Sequence, residues 1–252
     1  MVNEVYLSLQ GESTFAGLPC IFVRLTACNL RCSYCDTAYA FTEGTRRDIE
    51  GIHGEILELA GTYPGGGEPV YPVGSVEGAS GRHRVPLVEF TGGEPLLQPR
   101  AAGLMARLCD DGFTVLVETS GAHDIGVLDP RIRRIMDLKC PSSGEVGRNR
   151  WENIGLLRAT DEVKFVVGTW EDYEWMVGVL AEHGVAGRCP VLVSWVAPLE
   201  PQQRDPSLKA VPEGHRPLTR RELADRIIED RLPVRFQLQM HKYVWASDAR
   251  GV

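Results

Sequence analysis

Short apolar runs alternate with longer segments of helical spacing along most of the chain. Runs rich in β-branched and aromatic residues predict strands at 21–25, 85–90, 114–118, 135–138, 162–168, 190–196 and 234–239. Apolar residues recurring every three or four positions predict helices at 48–60, 99–111, 151–159, 170–183 and 219–230. Strands that alternate with helices indicate parallel βαβ units joined by right-handed crossovers.

About six such units are predicted, fewer than the eight of a closed barrel. The expected fold is therefore an α/β, partial TIM-like barrel, whose chemistry would lie at the carboxyl ends of the strands. A chain of 252 residues is long enough for one substantial core, so a single domain over 1–252 is expected. Residues 61–84 are rich in Gly and Pro and lack periodicity, which predicts an irregular excursion within that domain.

The charge balance narrows the classes of partner. The chain has 34 Asp and Glu against 27 Lys and Arg, a net charge of −7. This is the wrong sign for a broad phosphate-binding face, so we expect a small-molecule substrate rather than nucleic acid. Apolar runs fall short of the ~20 residues that cross a bilayer. The first residues also lack the basic-then-apolar order of a signal peptide, so we expect a cytoplasmic protein with no membrane contact.

Seven cysteines, an odd number in a chain without a secretion signal, favour reduced thiols and metal ligands over a disulfide framework. Four are scattered singly and are predicted to be small buried hydrophobes: Cys20, Cys109, Cys140 and Cys189. The other three, Cys28, Cys32 and Cys35, lie within eight residues in the segment CNLRCSYC. Because the strand at 21–25 ends just before them, they are expected at its carboxyl end.

The spacing C-x-x-x-C-x-x-C supplies three thiolates to a 4Fe-4S cluster and leaves one iron without a protein ligand. An open iron can chelate the amino and carboxylate groups of S-adenosylmethionine and pass it an electron, which would yield a hydrogen-abstracting 5′-deoxyadenosyl radical. Zinc is the alternative, but it takes four ligands, usually from two close pairs, and the sequence has no second pair. A cysteine triad that packs without metal is a further alternative.

A second motif, TGGEP at 91–95, follows the next predicted strand. Its glycines let backbone approach a ligand, and Glu94 can accept from an ammonium group. Together with CSYC it resembles the signatures of the radical S-adenosylmethionine (radical SAM) superfamily. The resemblance implies S-adenosylmethionine contacts from Tyr34, Cys35, Asp36, Gly93, Glu94, Ser120, Asp137 and Lys139.

Both ends of the chain carry a narrower resemblance. The segments EVYLSLQGESTFAGLPCIFVRLTACNLRCSYCDT and LQMHKYVW resemble the 7-carboxy-7-deazaguanine synthase family, and the likeness spans nearly the whole chain. It implies conversion of 6-carboxy-5,6,7,8-tetrahydropterin to 7-carboxy-7-deazaguanine with loss of ammonia, toward queuosine-type bases. A homodimer and an external electron donor such as flavodoxin or ferredoxin are expected with it. The implied substrate contacts are Leu9, Gln10, Gly11, Arg24, Thr91 and His241, and the implied Mg²⁺ ligand is Thr37.

The chemistry of these residues agrees with the resemblance, although each has a structural alternative. The Arg24 guanidinium suits a substrate carboxylate, and Gln10 can pair with a pterin edge, but a buried ion pair and a turn would also use them. Thr37 could share Mg²⁺ with substrate oxygens and water, or cap a turn. His241 could face substrate or be structural. The family often has Gly where this chain has Ser13, which leaves the conformation of that loop open.

Two other functions remain possible from the sequence. An activating enzyme for a glycyl-radical protein shares the cysteine spacing and a reduced barrel, but it needs a protein partner. A noncatalytic iron–sulfur or zinc-binding module would leave TGGEP and the six βα units without a purpose.

Overall fold

The computed structural model describes residues 1–63, 69–72, 82–246 and 249–252. Its strands are β1 (Val2–Leu9), β2 (Pro19–Leu25), β3 (Pro69–Pro72), β4 (Arg82–Arg84), β5 (Leu87–Gly92), β6 (Val115–Thr119), β7 (Arg133–Leu138), β8 (Glu162–Val167), β9 (Val191–Trp195) and β10 (Arg235–Gln237). Its α-helices are α1 (Ile49–Gly61), α2 (Ala101–Asp110), α3 (Trp170–His183), α4 (Arg220–Glu229) and α5 (His241–Val244).

Eight strands form one open sheet in the order β1-β2-β5-β6-β7-β8-β9-β10. β1 is antiparallel to β2, and the other seven run parallel. Six connections therefore join the parallel strands, which confirms the expected partial barrel of about six βα units. The connections out of β6 and β7 contain 3₁₀ turns instead of an α-helix. The helix predicted at 151–159 is thus wrong in type, since Trp151–Leu156 is one of these 3₁₀ segments.

The central strands are buried on both faces, which explains why they read as continuous apolar runs. In β5, for example, Leu87, Val88 and Phe90 are all at most 1% exposed. Ile56 of α1 and Met105 of α2 are fully buried in the same core as Val88 and Phe90. This packing on the outer face of the sheet fixes the strands, whose carboxyl ends then carry the site.

The structure departs from the sequence-based expectations at several element ends. β1 was not predicted, and the strand predicted at 85–90 begins after Pro86, which has no N–H to donate. The strand predicted at 234–239 is only three residues long. Within the predicted excursion at 61–84, Gly61 ends α1 and β3 pairs antiparallel with β4; the remainder lies outside the described residues.

The four scattered cysteines are free thiols, as expected. Cys20, Cys140 and Cys189 are buried and Cys109 is half-buried. Within the part of the chain that the structure describes, helices are all too short or too polar to span a bilayer.

Candidate active site at the strand carboxyl ends

Loops after β2, β5, β6 and β7 meet around a cavity of about 600 Å³. The predicted site residues all line this cavity except Glu94. Residues 10–12 reach it from the opposite end of the barrel, because Leu9 pairs with Pro19 at the start of β2. The cavity therefore has a wall bearing the cysteine loop and a floor formed partly by residues 10–12.

The cysteine loop presents three free thiols to the cavity. The backbone N–H of Leu30 donates to Cys28 Sγ at 3.4 Å, and Cys35 Sγ lies 3.8 Å from Thr37 Oγ1. Burial raises the pKa of Cys32 to about 11 and that of Cys35 to about 12. Thiolate ligands in this setting need the positive charge of a bound metal to offset their desolvation.

The donor set suits a cluster rather than one ion. Among the described residues, no group of three or more His, Cys, Asp or Glu is placed to hold a metal ion. In a cubane each cysteine ligates a different iron, so the three sulfurs stand farther apart than around one tetrahedral zinc. Three free cysteines that line one cavity match the three protein ligands of a cluster with one open iron.

Two glycines at the end of β5, Gly92 and Gly93, permit a close backbone approach to the segment before the cysteine loop. Gly93 N donates to Leu25 O at 3.0 Å, and Glu94 N donates to Ala27 O at 2.8 Å. A Cβ added at Gly93 would lie 2.0 Å from Ala27 O, a separation that real structures do not show. Gly92 has a φ of +116°, which also favours glycine. The TGGEP motif thus seats the segment that leads into Cys28.

The Glu94 side chain is fully buried and accepts four hydrogen bonds. Its Oε1 accepts from Leu96 N at 3.0 Å and Thr119 Oγ1 at 2.8 Å. Its Oε2 accepts from Ser120 N at 2.8 Å and Ser120 Oγ at 2.6 Å. Because both oxygens are engaged and Glu94 lies behind the cavity wall, the carboxylate fixes the position of Ser120, which lines the cavity.

Three residues that line the cavity have a buried polar atom without a hydrogen-bond partner among the described residues: Tyr34 Oη, Asp137 Oδ1 and Glu12 Oε2, the last of which is in an ion pair with Lys164. The other Asp137 oxygen accepts from Lys139 Nζ at 2.8 Å. Burial alone would lower the pKa of Lys139, but the Asp137 carboxylate and other nearby anions raise it, so this lysine is cationic. Unpartnered buried polar groups beside a cation are suited to a polar ligand.

The floor of the cavity contains polar residues that the sequence reasoning did not single out. Gln10 Nε2 donates to Glu89, and Gln10 Oε1 accepts from Glu12 N at 2.9 Å. Ser13 has a φ of +63°, a conformation that favours glycine. The serine therefore holds this loop in a left-handed backbone conformation.

Lys164 is buried between two carboxylates on the same floor. It pairs with Glu12 and, at 2.8 Å, with Glu118 Oε1. Burial opposes its charge, but Glu118 and Glu12 raise the pKa of Lys164 well above its usual value. Burial, reinforced by Glu118 and Glu12, raises the pKa of Glu89 well above its usual value. A charged residue inside an apolar strand, as in VPLVEF and EVKFVV, is the signal that could have identified Glu89 and Lys164.

Arg24 and Thr91 occupy adjacent strands beside this floor. Arg24 Nε donates to Glu4 Oε1 at 2.7 Å, and its Nη2 donates to Tyr6 Oη at 2.7 Å. Thr91 Oγ1 donates to Glu118 Oε2 at 3.3 Å. Arg24 is thus in an ion pair and also lines the cavity, and its contact with a substrate carboxylate stays a prediction.

The C-terminal segment closes the remaining side of the cavity. Met240 N donates to Gly11 O at 2.9 Å, and a Cβ at Gly11 would lie 2.4 Å from His241 Nδ1. Lys242 forms an ion pair with Asp36, next to Cys35. Burial opposes ionisation of Asp36, but Lys242 holds the pKa of that carboxyl below its usual value. Asp36 and Lys242, which are 206 positions apart in the sequence, therefore meet at this wall of the cavity.

Comparison with known proteins agrees with this arrangement. Residues 23–194 match the radical SAM superfamily, and the chain is a member of that superfamily. The 7-carboxy-7-deazaguanine synthase of Koribacter versatilis is 38% identical over 252 residues, covering 100% of this chain and 99% of the relative. That of Chlorobaculum tepidum is 39% identical over 255 residues, covering 100% and 96%. The chain belongs to the 7-carboxy-7-deazaguanine synthase family.

A solved structure shares the fold at lower identity. The crystal structure of QueE from Escherichia coli has a TM-score of 0.61 and 22% identity, and the match covers 95% of this chain and 93% of that one. Family membership carries a 4Fe-4S cluster and S-adenosylmethionine as cofactors and makes the chain a radical SAM enzyme acting on a small molecule.

Proposed function

We propose that the chain converts 6-carboxy-5,6,7,8-tetrahydropterin to 7-carboxy-7-deazaguanine with loss of ammonia, as a step toward queuosine-type 7-deazapurines. The observation that carries the proposal is one cavity of about 600 Å³ that brings the cysteine loop within reach of the Gln10 and Arg24 side chains. This volume lies within the roughly 300–1,000 Å³ range of small-molecule sites. It suits a pterin placed beside S-adenosylmethionine better than the protein loop that a glycyl-radical activator must admit.

In this proposal Cys28, Cys32 and Cys35 hold the cluster and leave one iron open to S-adenosylmethionine. When bound, the two cofactors together supply a hydrogen-abstracting radical. Tyr34, Asp36, Gly93, Ser120, Asp137 and Lys139 would hold S-adenosylmethionine. The unpartnered Asp137 Oδ1 and Tyr34 Oη are the observations that support this assignment. Glu94 would act through Ser120, since its four acceptor positions are already filled.

The substrate would lie against the opposite wall. The Arg24 guanidinium would meet its carboxylate, with Tyr6 and Glu4 orienting the arginine. Leu9, Gln10, Gly11, Thr91 and His241 would surround the pterin ring, where Gln10 offers both a donor and an acceptor. Enclosure within the barrel would exclude water from the reacting carbon.

Thr37 is the proposed Mg²⁺ ligand. Thr37 lines the cavity two residues after Cys35, and its hydroxyl together with substrate oxygens and water would make a hard-oxygen shell. Anaerobic turnover of chelator-treated enzyme with and without added Mg²⁺ tests this. Equal rates would contradict the metal assignment, and Thr37→Ala should weaken the response to Mg²⁺ while leaving the cluster intact.

The remaining expectations complete the proposal. We infer a single radical SAM domain over 1–252, a homodimer, and an external donor such as flavodoxin or ferredoxin that reduces the cluster. Residues 1–252 align with 99% of the Koribacter versatilis relative, which supports the single domain. Sedimentation of the reconstituted protein would test the dimer, and a cytoplasmic location stays a prediction.

The decisive experiment is anaerobic turnover of reconstituted, reduced protein with S-adenosylmethionine and the pterin, following 5′-deoxyadenosine and 7-carboxy-7-deazaguanine together. Both products are expected. Deoxyadenosine alone would retain the superfamily chemistry and refute the substrate, and neither product from cluster-loaded protein would favour a noncatalytic module. Cys32→Ala should abolish both products, whereas Cys109→Ala, a matched change outside the cavity, should retain them.

A further inference from the structure

The turn formed by residues 140–145 lies directly against the cysteine loop. Ser33 N donates to Ser143 O at 3.0 Å, and Ser33 Oγ donates to Ser142 O at 2.7 Å. Arg31 N donates to Glu145 Oε1 at 2.7 Å. One turn after β7 thus binds the loop both between Cys28 and Cys32 and between Cys32 and Cys35.

The turn is anchored from behind, independently of the cysteine loop. Asp172, fully buried in the first turn of α3, accepts from Ser142 N at 2.7 Å and Ser142 Oγ at 2.6 Å. It also accepts from Gly168 N at 2.9 Å and Thr169 N at 3.1 Å. A carboxylate with four donors holds the turn rigidly to the end of β8 and the start of α3.

Lys209 covers the turn from the outside. Its Nζ lies 2.9 Å from Glu145 Oε2 and donates to Gly144 O at 2.7 Å, while its backbone N donates to Arg31 O at 2.9 Å. Gly144 has a φ of +72°, and a Cβ there would lie 2.9 Å from Lys209 Cδ. Glu145 therefore joins the middle of the cysteine loop to a second, distant segment of the chain.

We propose that Glu145 is a positioning residue that holds the cysteine loop ready for the cluster before any iron is bound. This rests on the proposed function, because it takes Cys28, Cys32 and Cys35 as the cluster ligands. Ordering a loop opposes metal binding unless the fold has already ordered it. The carboxylate is nearly buried, so its bond to Arg31 N is shielded from water and strengthened by the charge.

The first test uses the apoprotein. Alkylation by iodoacetamide is followed by mass spectrometry at each loop cysteine, with Cys109 of the same molecule as the internal reference. Glu145→Gln keeps the size of the side chain but replaces the carboxylate that pairs with Lys209 by a neutral amide. We expect alkylation of the loop cysteines to rise several-fold relative to Cys109, because the neutral amide oxygen still accepts from Arg31 N but lacks the charge that strengthens this bond. Glu152→Gln, an exposed change with a side chain 75% accessible, should match the wild type.

The second test uses reconstituted protein under argon. Iron release to a chelator should be several-fold faster from Glu145→Gln, and the electron paramagnetic resonance spectrum of its reduced cluster should broaden. Ser33→Ala should produce the same changes more weakly, and Ser33→Thr, which keeps the hydroxyl, should restore slow release. Far-ultraviolet circular dichroism and urea midpoints separate these effects from global unfolding.

The outcomes distinguish this inference from the proposed function. Unchanged alkylation ratios and iron release in Glu145→Gln would overturn the positioning role, even if the wild type turned over. If the wild type failed to take up a cluster, the proposed function would fall, while the apoprotein alkylation would still decide the role of Glu145. Should Glu145→Gln not fold, Glu145→Asp, which keeps the charge but shortens its reach to Arg31 N, gives the same two measurements, and unchanged values there would overturn the role.

Discussion

Replacement of Glu94 by Gln should show whether this residue fixes Ser120 or contacts the ammonium group of the ligand directly. The carboxylate accepts two bonds at each oxygen, and at each oxygen one donor is a backbone N–H. Hydroxyl donors on Thr119 and Ser120 can rotate to accept from an amide. The N–H groups of Leu96 and Ser120 cannot, so whichever oxygen becomes an NH₂, one buried N–H faces another donor.

The magnitude follows from burial. Glu94 is 0% exposed, so no water can replace the lost acceptor. A hydrogen bond to a charged group contributes about 1.5–3 kcal/mol, and a buried donor left unsatisfied costs about 1–3 kcal/mol. We expect the free energy of unfolding of the apoprotein to fall by about 2–3 kcal/mol, near the upper range for a hydrogen-bond change. For a chain of this size that lowers Tm by roughly 4–12 °C.

Urea unfolding of the apoprotein measures this loss, and Glu182→Gln, an exposed change on α3, is the matched control, expected within about 0.5 kcal/mol of wild type. In reconstituted protein the displaced Ser120 should weaken S-adenosylmethionine binding about two- to tenfold. A variant that unfolds like wild type but loses binding entirely would refute this reasoning and return Glu94 to direct contact with the ligand's ammonium group.

Three further changes follow from the same geometry. Gly93→Ala should shift the segment before Cys28, because its Cβ would lie 2.0 Å from Ala27 O, and iron content after reconstitution should fall at least severalfold. Lys164→Met should lower the free energy of unfolding by about 1–3 kcal/mol at pH 7, since it leaves two half-buried carboxylates without their cation. Burial lowers the pKa of His241 in the folded state below its unfolded value of 6.5. As the pH falls below 6.5, the unfolded chain binds a proton at this histidine before the folded protein does, so stability is lost. The wild-type urea midpoint should therefore drop more steeply on acidification than that of His241→Gln.

Each result has an outcome that contradicts it. Full iron content in the Gly93 variant would show that the close approach to Ala27 relaxes without cost. The Lys164 variant should regain part of its stability at low pH, where carboxylates protonate, and a constant deficit from pH 7 to pH 4 would contradict the ion-pair account. Parallel midpoint curves for wild type and the His241 variant would show that burial does not govern that histidine.

The parallel strands were predictable because a strand buried on both faces is apolar at nearly every position. β8 and β9 are apolar runs bounded by turn residues, and each ends within two residues of its predicted limit. The apolar pattern of β1 is weaker, since β1 is an edge strand whose residues from Asn3 to Leu9 are only half-buried. The missing α-helix at 151–159 illustrates the same limit, because Trp151 and Leu156 are apolar yet exposed, so their spacing did not mark a core-facing side.

The cavity floor could be found only in part. Lys164 inside β8 was visible as a charge in an apolar strand, but its partners could not be named from the sequence. The neighbouring strand places Asp137 beside Lys164 in register, yet the lysine pairs with Glu118 and Glu12 instead. That choice depends on how the sheet curves and on where residues 10–12 enter the barrel, and neither leaves a pattern in the chain.

The cysteine loop shows why chemistry was easier to predict than position. Its spacing alone indicates a cluster with one open iron, because ligand type and count are local properties of eight residues. The contacts that hold it come from far along the chain: Ser33 bonds to Ser142, 109 positions away, and Arg31 bonds to Glu145, 114 positions away. The sequence PSSGE at 141–145 reads as an ordinary turn, and β7 lies three places from β2 in the sheet order, so neither the sequence nor strand pairing indicates that this turn meets the loop. A motif therefore identifies the reactive group, whereas the residues that pre-order it become visible only once the fold is known, which is why the experiments on Glu145 test the fold and the chemistry separately.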